Sequence, residues 1–125
     1  MSFWVSLVDA AAVLVIARLL WIAVRVPVLR FAAERGSVRA QLALGNIYGS
    51  GKGADQDYEE AMRWFRKAAE LGNPMAQNNL ALSYATGQGI EKDRDEAVKW
   101  VMTAARNGYK EALAALEQLR KDGVL

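Results

Sequence analysis

The stretch from Ala40 to Gly108 carries one pattern twice, and that constrains the fold more than anything else in the chain. Shifted by 36 residues, Ala40, Gln41, Leu44, Tyr48, Gly51, Gly53, Asp57, Glu60, Ala61, Trp64, Ala68, Ala69 and Gly72 return. They reappear as Ala76, Gln77, Leu80, Tyr84, Gly87, Gly89, Asp93, Glu96, Ala97, Trp100, Ala104, Ala105 and Gly108. A fixed period of this size predicts a repeat array. Each unit is too small to bury its own apolar face and must stack on a neighbour.

Within one period the residues describe two helices. From Val38 to Tyr48, Ala40, Ala43, Leu44, Ile47 and Tyr48 recur at three- and four-residue spacing and mark a core face. After a glycine-containing loop, Asp57 suits the N-cap of a second helix, and Glu60 three residues on makes a capping-box-like pair. That helix carries Ala61, Trp64, Phe65, Ala68 and Ala69 and stops at Gly72, with Asn73-Pro74 reinforcing the turn. The second unit copies the plan: a helix to Thr86, Asp93 and Glu96 at the next cap, Trp100 inside, and Gly108 at the stop. Lys110 to Lys121 reads as one more first helix, with Ala112 and Leu116 in phase and a polar outer side suited to capping the array. Because Trp64 and Trp100 recur at one period beside paired alanines, they are read as inter-helix packing rather than ligand-stacking residues.

This pattern of small residues, paired loop glycines, Asp, Trp and Ala-Ala resembles the Sel1-like repeat family, relatives of the tetratricopeptide repeats. The resemblance covers Ala40 to Met75 and Met75 to Glu111 almost without gaps. It implies an all-α fold, a short α-solenoid of antiparallel helix pairs that serves as a scaffold for protein partners.

The inventory excludes much chemistry. No Cys and no His occur, which removes zinc fingers, thiol redox motifs, haem axial histidine and His-based triads. Gly49 to Gly53 is not a phosphate-binding loop: Asn46 stands where its first glycine is needed, and Gly53 where Ser or Thr should follow Lys52. The acidic runs Asp55–Glu60 and Glu91–Glu96 lack the alternating ligands of a calcium loop and suit helix N-termini. The reading is therefore no enzyme, no catalytic residue, no metal, no cofactor and no small-molecule substrate. The alkaline balance belongs to the first 35 residues, where four arginines face Asp9 and Glu34. The remainder is neutral, so no nucleic-acid-binding face is expected.

Phe3 to Val24 is almost wholly apolar and interrupted only by Asp9 and Arg18. As a helix it would extend about 33 Å, enough to cross the hydrocarbon core. No polar stripe breaks its surface, which points to a membrane span. An interfacial helix or a cleaved targeting segment are the alternatives. Next, Ala32, Ala33 and Gly36 fall one period before Ala68, Ala69 and Gly72, so this part reads as the second helix of a degenerate repeat with Val28 in the Trp position. Pro27 either starts that helix or kinks it out of the span.

The expected organisation is a transmembrane helix over 1–25 and a repeat domain over 26–125. The latter divides into a half repeat (26–36), repeat 1 (37–72), repeat 2 (73–108) and a capping helix (109–125). No Lys or Arg precedes the span, whereas Arg25, Arg30, Arg35 and Arg39 follow it closely. The positive-inside bias then places the repeats in the cytoplasm of a bacterial inner membrane, with a periplasmic domain as the alternative. Asp9 and Arg18 are about 900° and 13.5 Å apart on the helix and cannot neutralise each other, so partner helices are expected on two sides. On the first helices, Leu42, Asn46, Asn78, Leu82 and Gln118 lie opposite the core, on the face that the resemblance makes a partner-binding groove. The function that emerges is a membrane-anchored interaction scaffold. It would be an accessory subunit or adaptor whose partners are other, integral membrane, subunits and the lipid bilayer. The alternative is a soluble or periplasmic binding protein released from its N-terminal segment.

Overall fold

The computed structural model describes residues 2–123, with side chains from Asp9 onward. Among them all regular structure is helical: α1 (Ser2–Glu34), α2 (Val38–Ser50), α3 (Tyr58–Glu70), α4 (Pro74–Thr86), α5 (Arg94–Arg106) and α6 (Lys110–Lys121). The most extensive contact among the described residues runs between consecutive helices, from α1 on α2 to α5 on α6. Stability is therefore built by nearest-neighbour stacking, as the period requires.

Local chemistry sets each helix end. Asp57 and Asp93 accept hydrogen bonds from the backbone N–H of Glu60 and Glu96 at 3.0 and 3.1 Å and so start α3 and α5. The expected return arm of the capping box is absent. The N–H of Asp57 donates to the Tyr48 carbonyl (2.8 Å) and that of Asp93 to the Tyr84 carbonyl (2.9 Å). With those donors already satisfied, the Glu60 and Glu96 side chains are left for other partners. Ser37 and Asn73 cap α2 and α4, whereas Tyr109, one period later, gives α6 no side-chain cap.

The last turn of α1 already obeys the repeat. Ser37 N–H donates to the Ala32 carbonyl, Asn73 N–H to that of Ala68, and Tyr109 N–H to that of Ala104, at 3.0–3.1 Å throughout. Ala33 is buried with Ala40, Leu44 and Trp64, and Val26, Leu29 and Ala32 pack against them. The C-terminal third of α1 thus behaves as the second helix of a preceding unit, with Val28 exposed where the Trp would be. Pro27 lies inside α1 and neither starts a helix nor ends one. Its missing N–H falls on an exposed part of the helix, where one lost backbone bond leaves no buried polar group stranded in the repeat core.

Alanine occupies most inter-helix contacts: Ala61, Ala68, Ala69, Ala76 and Ala97 surround Leu80, Met62 and Phe65 in the central cluster. Such contacts let the helix axes approach closely, and a larger residue would overpack them. Two glutamines are buried with them. Gln41 and Gln77, each 2% exposed, donate from Nε2 to the carbonyls of Ala33 (3.0 Å) and Ala69 (3.1 Å). Each bond crosses from the end of one second helix to the start of the next first helix, on otherwise apolar contacts. Burying an amide N–H costs unless it is paired, so these bonds favour one register between units. Gln77 Oε1 also accepts from Asn107 Nδ2 (2.9 Å), whereas Gln41 Oε1 has no partner among the described residues.

Candidate interaction surface

Two apolar surfaces stand out among the described residues. The first is α1 itself. From Asp9 to Glu34 it is 26 residues long, apolar enough to cross a membrane, and its apolar window is unburied by the rest of the protein. Val13, Leu14, Ile16, Leu19, Leu20 and Trp21 are all exposed on it. Asp9 and Arg18 are exposed as well, and neither forms an ion pair among the described residues. Near its far end, Arg25 sits over the Trp21 ring at 5.1 Å and Arg35 over the Phe31 ring at 4.2 Å.

A charged cluster ties α1 to the first full unit. Arg30 donates to the Tyr48 hydroxyl (2.8 Å) and to Glu60 Oε1 (3.2 Å), and Trp64 Nε1–H donates to the same Glu60 oxygen (3.1 Å). Arg63 pairs with the other carboxylate oxygen at 3.0 Å. Glu60 is only 15% exposed, so these charge-assisted bonds work in a medium drier than the surface. One period later only part of this recurs. Arg66 still reaches the Tyr84 hydroxyl (2.7 Å), but Glu96 pairs with Lys99 (2.9 Å). Trp100 Nε1–H has no hydrogen-bond partner among the described residues.

The second surface is a cavity of about 480 Å³ between α4 and α6, floored by α5. Ala81, Leu82 and Ala85 supply one wall, Ala97, Val98 and Val101 the floor, and Ala115, Gln118 and Leu119 the other wall. Lys92 and Arg94 are its charged residues. Its size is in the range of pockets that hold several apolar groups of a ligand.

Of the five first-helix residues singled out from the sequence, the structure brings Leu82 and Gln118 together in this cavity. Leu42 is half-buried and packs on the central cluster. Asn46 is exposed and Asn78 half-buried, and neither lines the cavity. Val98, Val101, Lys92 and Arg94 were not among the expected site residues. The signal for them lay in departures from the period: Phe65 becomes Val101, Met62 becomes Val98, Gln56 becomes Lys92 and Tyr58 becomes Arg94.

Comparison with known proteins agrees with this architecture. The Sel1 repeat profile matches residues 38–73 and 74–109, one residue later in each unit than the division read from the period. The chain is similar to the crystal structure of a Sel1 repeat protein from Oxalobacter formigenes. They share 40% identity with a TM-score of 0.70, over 72% of this chain and 68% of that one. It is also similar to c5321, a protective antigen of uropathogenic Escherichia coli strains with an SLR fold, at 39% identity and a TM-score of 0.72. That match takes 76% of this chain but only 20% of c5321. Helicobacter pylori cysteine rich protein B gives 28% identity and a TM-score of 0.68, over 72% of this chain and 68% of that one. No curated protein matches. The Helicobacter protein is named for its cysteines and this chain has none, so no disulfide joins its helices. With two matched units spanning more than half of its residues, the chain belongs to the Sel1 repeat family.

Proposed function

We propose that this chain is a membrane-anchored scaffold, an accessory subunit or adaptor that holds its repeat domain against a membrane complex. Sel1 repeat proteins generally mediate protein–protein interaction, which supplies the general role. One observation carries the finer reading: the unburied apolar helix α1 runs without a break into the first packed unit. The apolar stretch Phe3–Val24, ahead of the part that packs on the repeats, would extend about 33 Å, enough to cross the hydrocarbon core. The division into a span over 1–25 and a repeat domain over 26–125 belongs to this reading. So does the cytoplasmic side, because Arg25, Arg30, Arg35 and Arg39 all follow the span.

One preparation tests anchor and orientation together. The full chain is expected to stay in the membrane pellet after an alkaline carbonate wash, at its intact mass. In spheroplasts its repeat domain should resist added protease. A soluble mature chain beginning near residue 26 would replace the anchor with the periplasmic binding protein. Cleavage of the repeats from outside would reverse the orientation.

Asp9 and Arg18 give the reading its second prediction. Each charge near a bilayer centre costs up to about 2.5–3.5 kcal/mol on insertion scales, which neighbouring helices of opposite charge relieve. Asp9→Leu and Arg18→Leu should each lose stoichiometric co-purification of membrane partners in mild detergent while still inserting. Wild-type stoichiometry in both variants would leave the two charges without helix partners.

A further inference from the structure

The cavity between α4 and α6 exists because the two repeats, alike in their frame, differ in what fills the space over the second helix. In repeat 1 the Phe65 ring lies directly on Gly45, so closely that a Cβ on Gly45 would come within 2.6 Å of it. Met62 is buried beside it. One period later the pair Gly45 and Phe65 becomes Ala81 and Val101, and Met62 becomes Val98. The lost ring volume is not recovered by closer packing, and the cavity occupies its place. The walls change in the same sense. Asn46, Asn79 and Ser83 correspond, one period on, to Leu82, Ala115 and Leu119, so three polar wall positions become apolar, while Leu82 itself is followed by Gln118. Leu82 is 56% exposed and shares one apolar lining with Ala85, Ala115 and Leu119.

The rim changes too. Gln56 and Tyr58, which hydrogen-bond to each other at 3.0 Å in repeat 1, are replaced by Lys92 and Arg94. Neither cation forms an ion pair among the described residues. Glu91, Asp93 and Asp95 adjoin them in the chain but do not line the cavity, and the Asp93 carboxylate is engaged at the cap of α5. Two free positive charges therefore stand at the mouth of an apolar slot that has no carboxylate of its own.

We infer that this slot is the site at which the scaffold grips a protein partner, and that it takes a segment with large apolar side chains flanked by Asp or Glu. The apolar side chains fill the volume that Phe65 fills in repeat 1. The flanking carboxylates neutralise Lys92 and Arg94 at the rim, where opposite charge steers and orients the partner. A basic segment would meet like charge at both positions. The inference rests on the scaffold reading for the existence of a partner, and it narrows that partner's chemistry.

The test uses the full chain in lipid nanodiscs and a fluorescein-labelled peptide of alternating Leu and Glu, with a Leu/Lys twin as control. Anisotropy should show saturable binding of the acidic peptide, at least tenfold tighter than its twin and weakened by salt. Ala81→Gly with Val101→Phe recreates the repeat 1 packing, closes the slot from within and should weaken binding at least tenfold. Because that double change touches the core, Leu82→Asn with Leu119→Ser provides a second test at positions that are not buried: it strips the apolar walls without filling the slot, and it should weaken binding as much. Lys92→Glu with Arg94→Glu should reverse the preference between the two peptides. Equal binding of both peptides, no saturable binding, or unchanged binding by the Leu82→Asn, Leu119→Ser variant would each overturn the assignment. The scaffold reading fails separately, in the carbonate wash. A chain that stays in the membrane and keeps its partners with the slot closed sinks the slot alone.

Discussion

Trp64→Ala is expected to destabilise the repeat domain by about 3–5 kcal/mol, through the cavity it leaves. The ring is 3% exposed and packs with Ala33, Ala40 and Leu44, so it joins α1, α2 and α3 at one point. Its Nε1–H also satisfies Glu60, and both Arg30 (5.8 Å) and Lys67 (4.8 Å) sit over its face. Against a typical domain stability of about 5–15 kcal/mol the loss is large. In a nearest-neighbour array it should also uncouple α1 from the units beyond it. The Trp at the same place in repeat 2 should matter less. Trp100 is half-buried and its Nε1–H has no partner among the described residues. Trp100→Phe, which removes that donor, should therefore change stability by no more than about 1 kcal/mol, whereas Trp64→Phe gives up a bond to a charged acceptor worth about 1.5–3 kcal/mol. Urea unfolding followed by circular dichroism in a single detergent would rank the four variants. Equal losses for Trp64→Ala and Trp100→Ala would mean that repeat position, not burial, sets the cost.

Gly89→Ala should come next, at about 2–5 kcal/mol, the sum of two separable terms. Gly89 has φ +72°, where a side chain costs about 1–2 kcal/mol by handedness alone. The added Cβ would in addition collide with the backbone carbonyl of Tyr58, which cannot rotate aside as a side chain can. That overpacking adds roughly 1–3 kcal/mol. Gly108 supplies the control: its φ is +82° but nothing lies within 4 Å of the Cβ it would gain. Gly108→Ala should therefore show the handedness term and nothing more. The difference between the two midpoints measures how tightly the loop of repeat 2 is seated on the start of α3. Identical shifts would mean that the loop moves away freely and does not couple the repeats.

Much of this architecture was legible before any coordinates. Helices α2 to α6 fall where the period and the three- and four-residue spacings put them, and Asp57 and Asp93 cap as expected. The paired alanines are at the helix contacts, and Ala33 extends the array into α1. These features are short-range. A helix face, a cap and a chain reversal are each decided within about four residues, so one strand of letters contains all the information they need.

Other features require knowing which side chains meet across helices. The capping box was expected from Asp57 and Glu60 alone, but the Asp57 N–H goes to Tyr48, and Glu60 turns to Arg30, Arg63 and Trp64. Gln41 and Gln77 matched in the period without revealing that they are buried donors to Ala33 and Ala69. The two tryptophans occupy one sequence position and two different environments. The slot is the clearest case, because its volume is set by Ala81, Val101 and Leu119 on three helices. The sequence by itself determined the period, the helices and their stacking order, because these follow from local pattern. Only the tertiary structure decided which repeat is filled and which is open, because packing volume is a sum over residues that the chain keeps far apart.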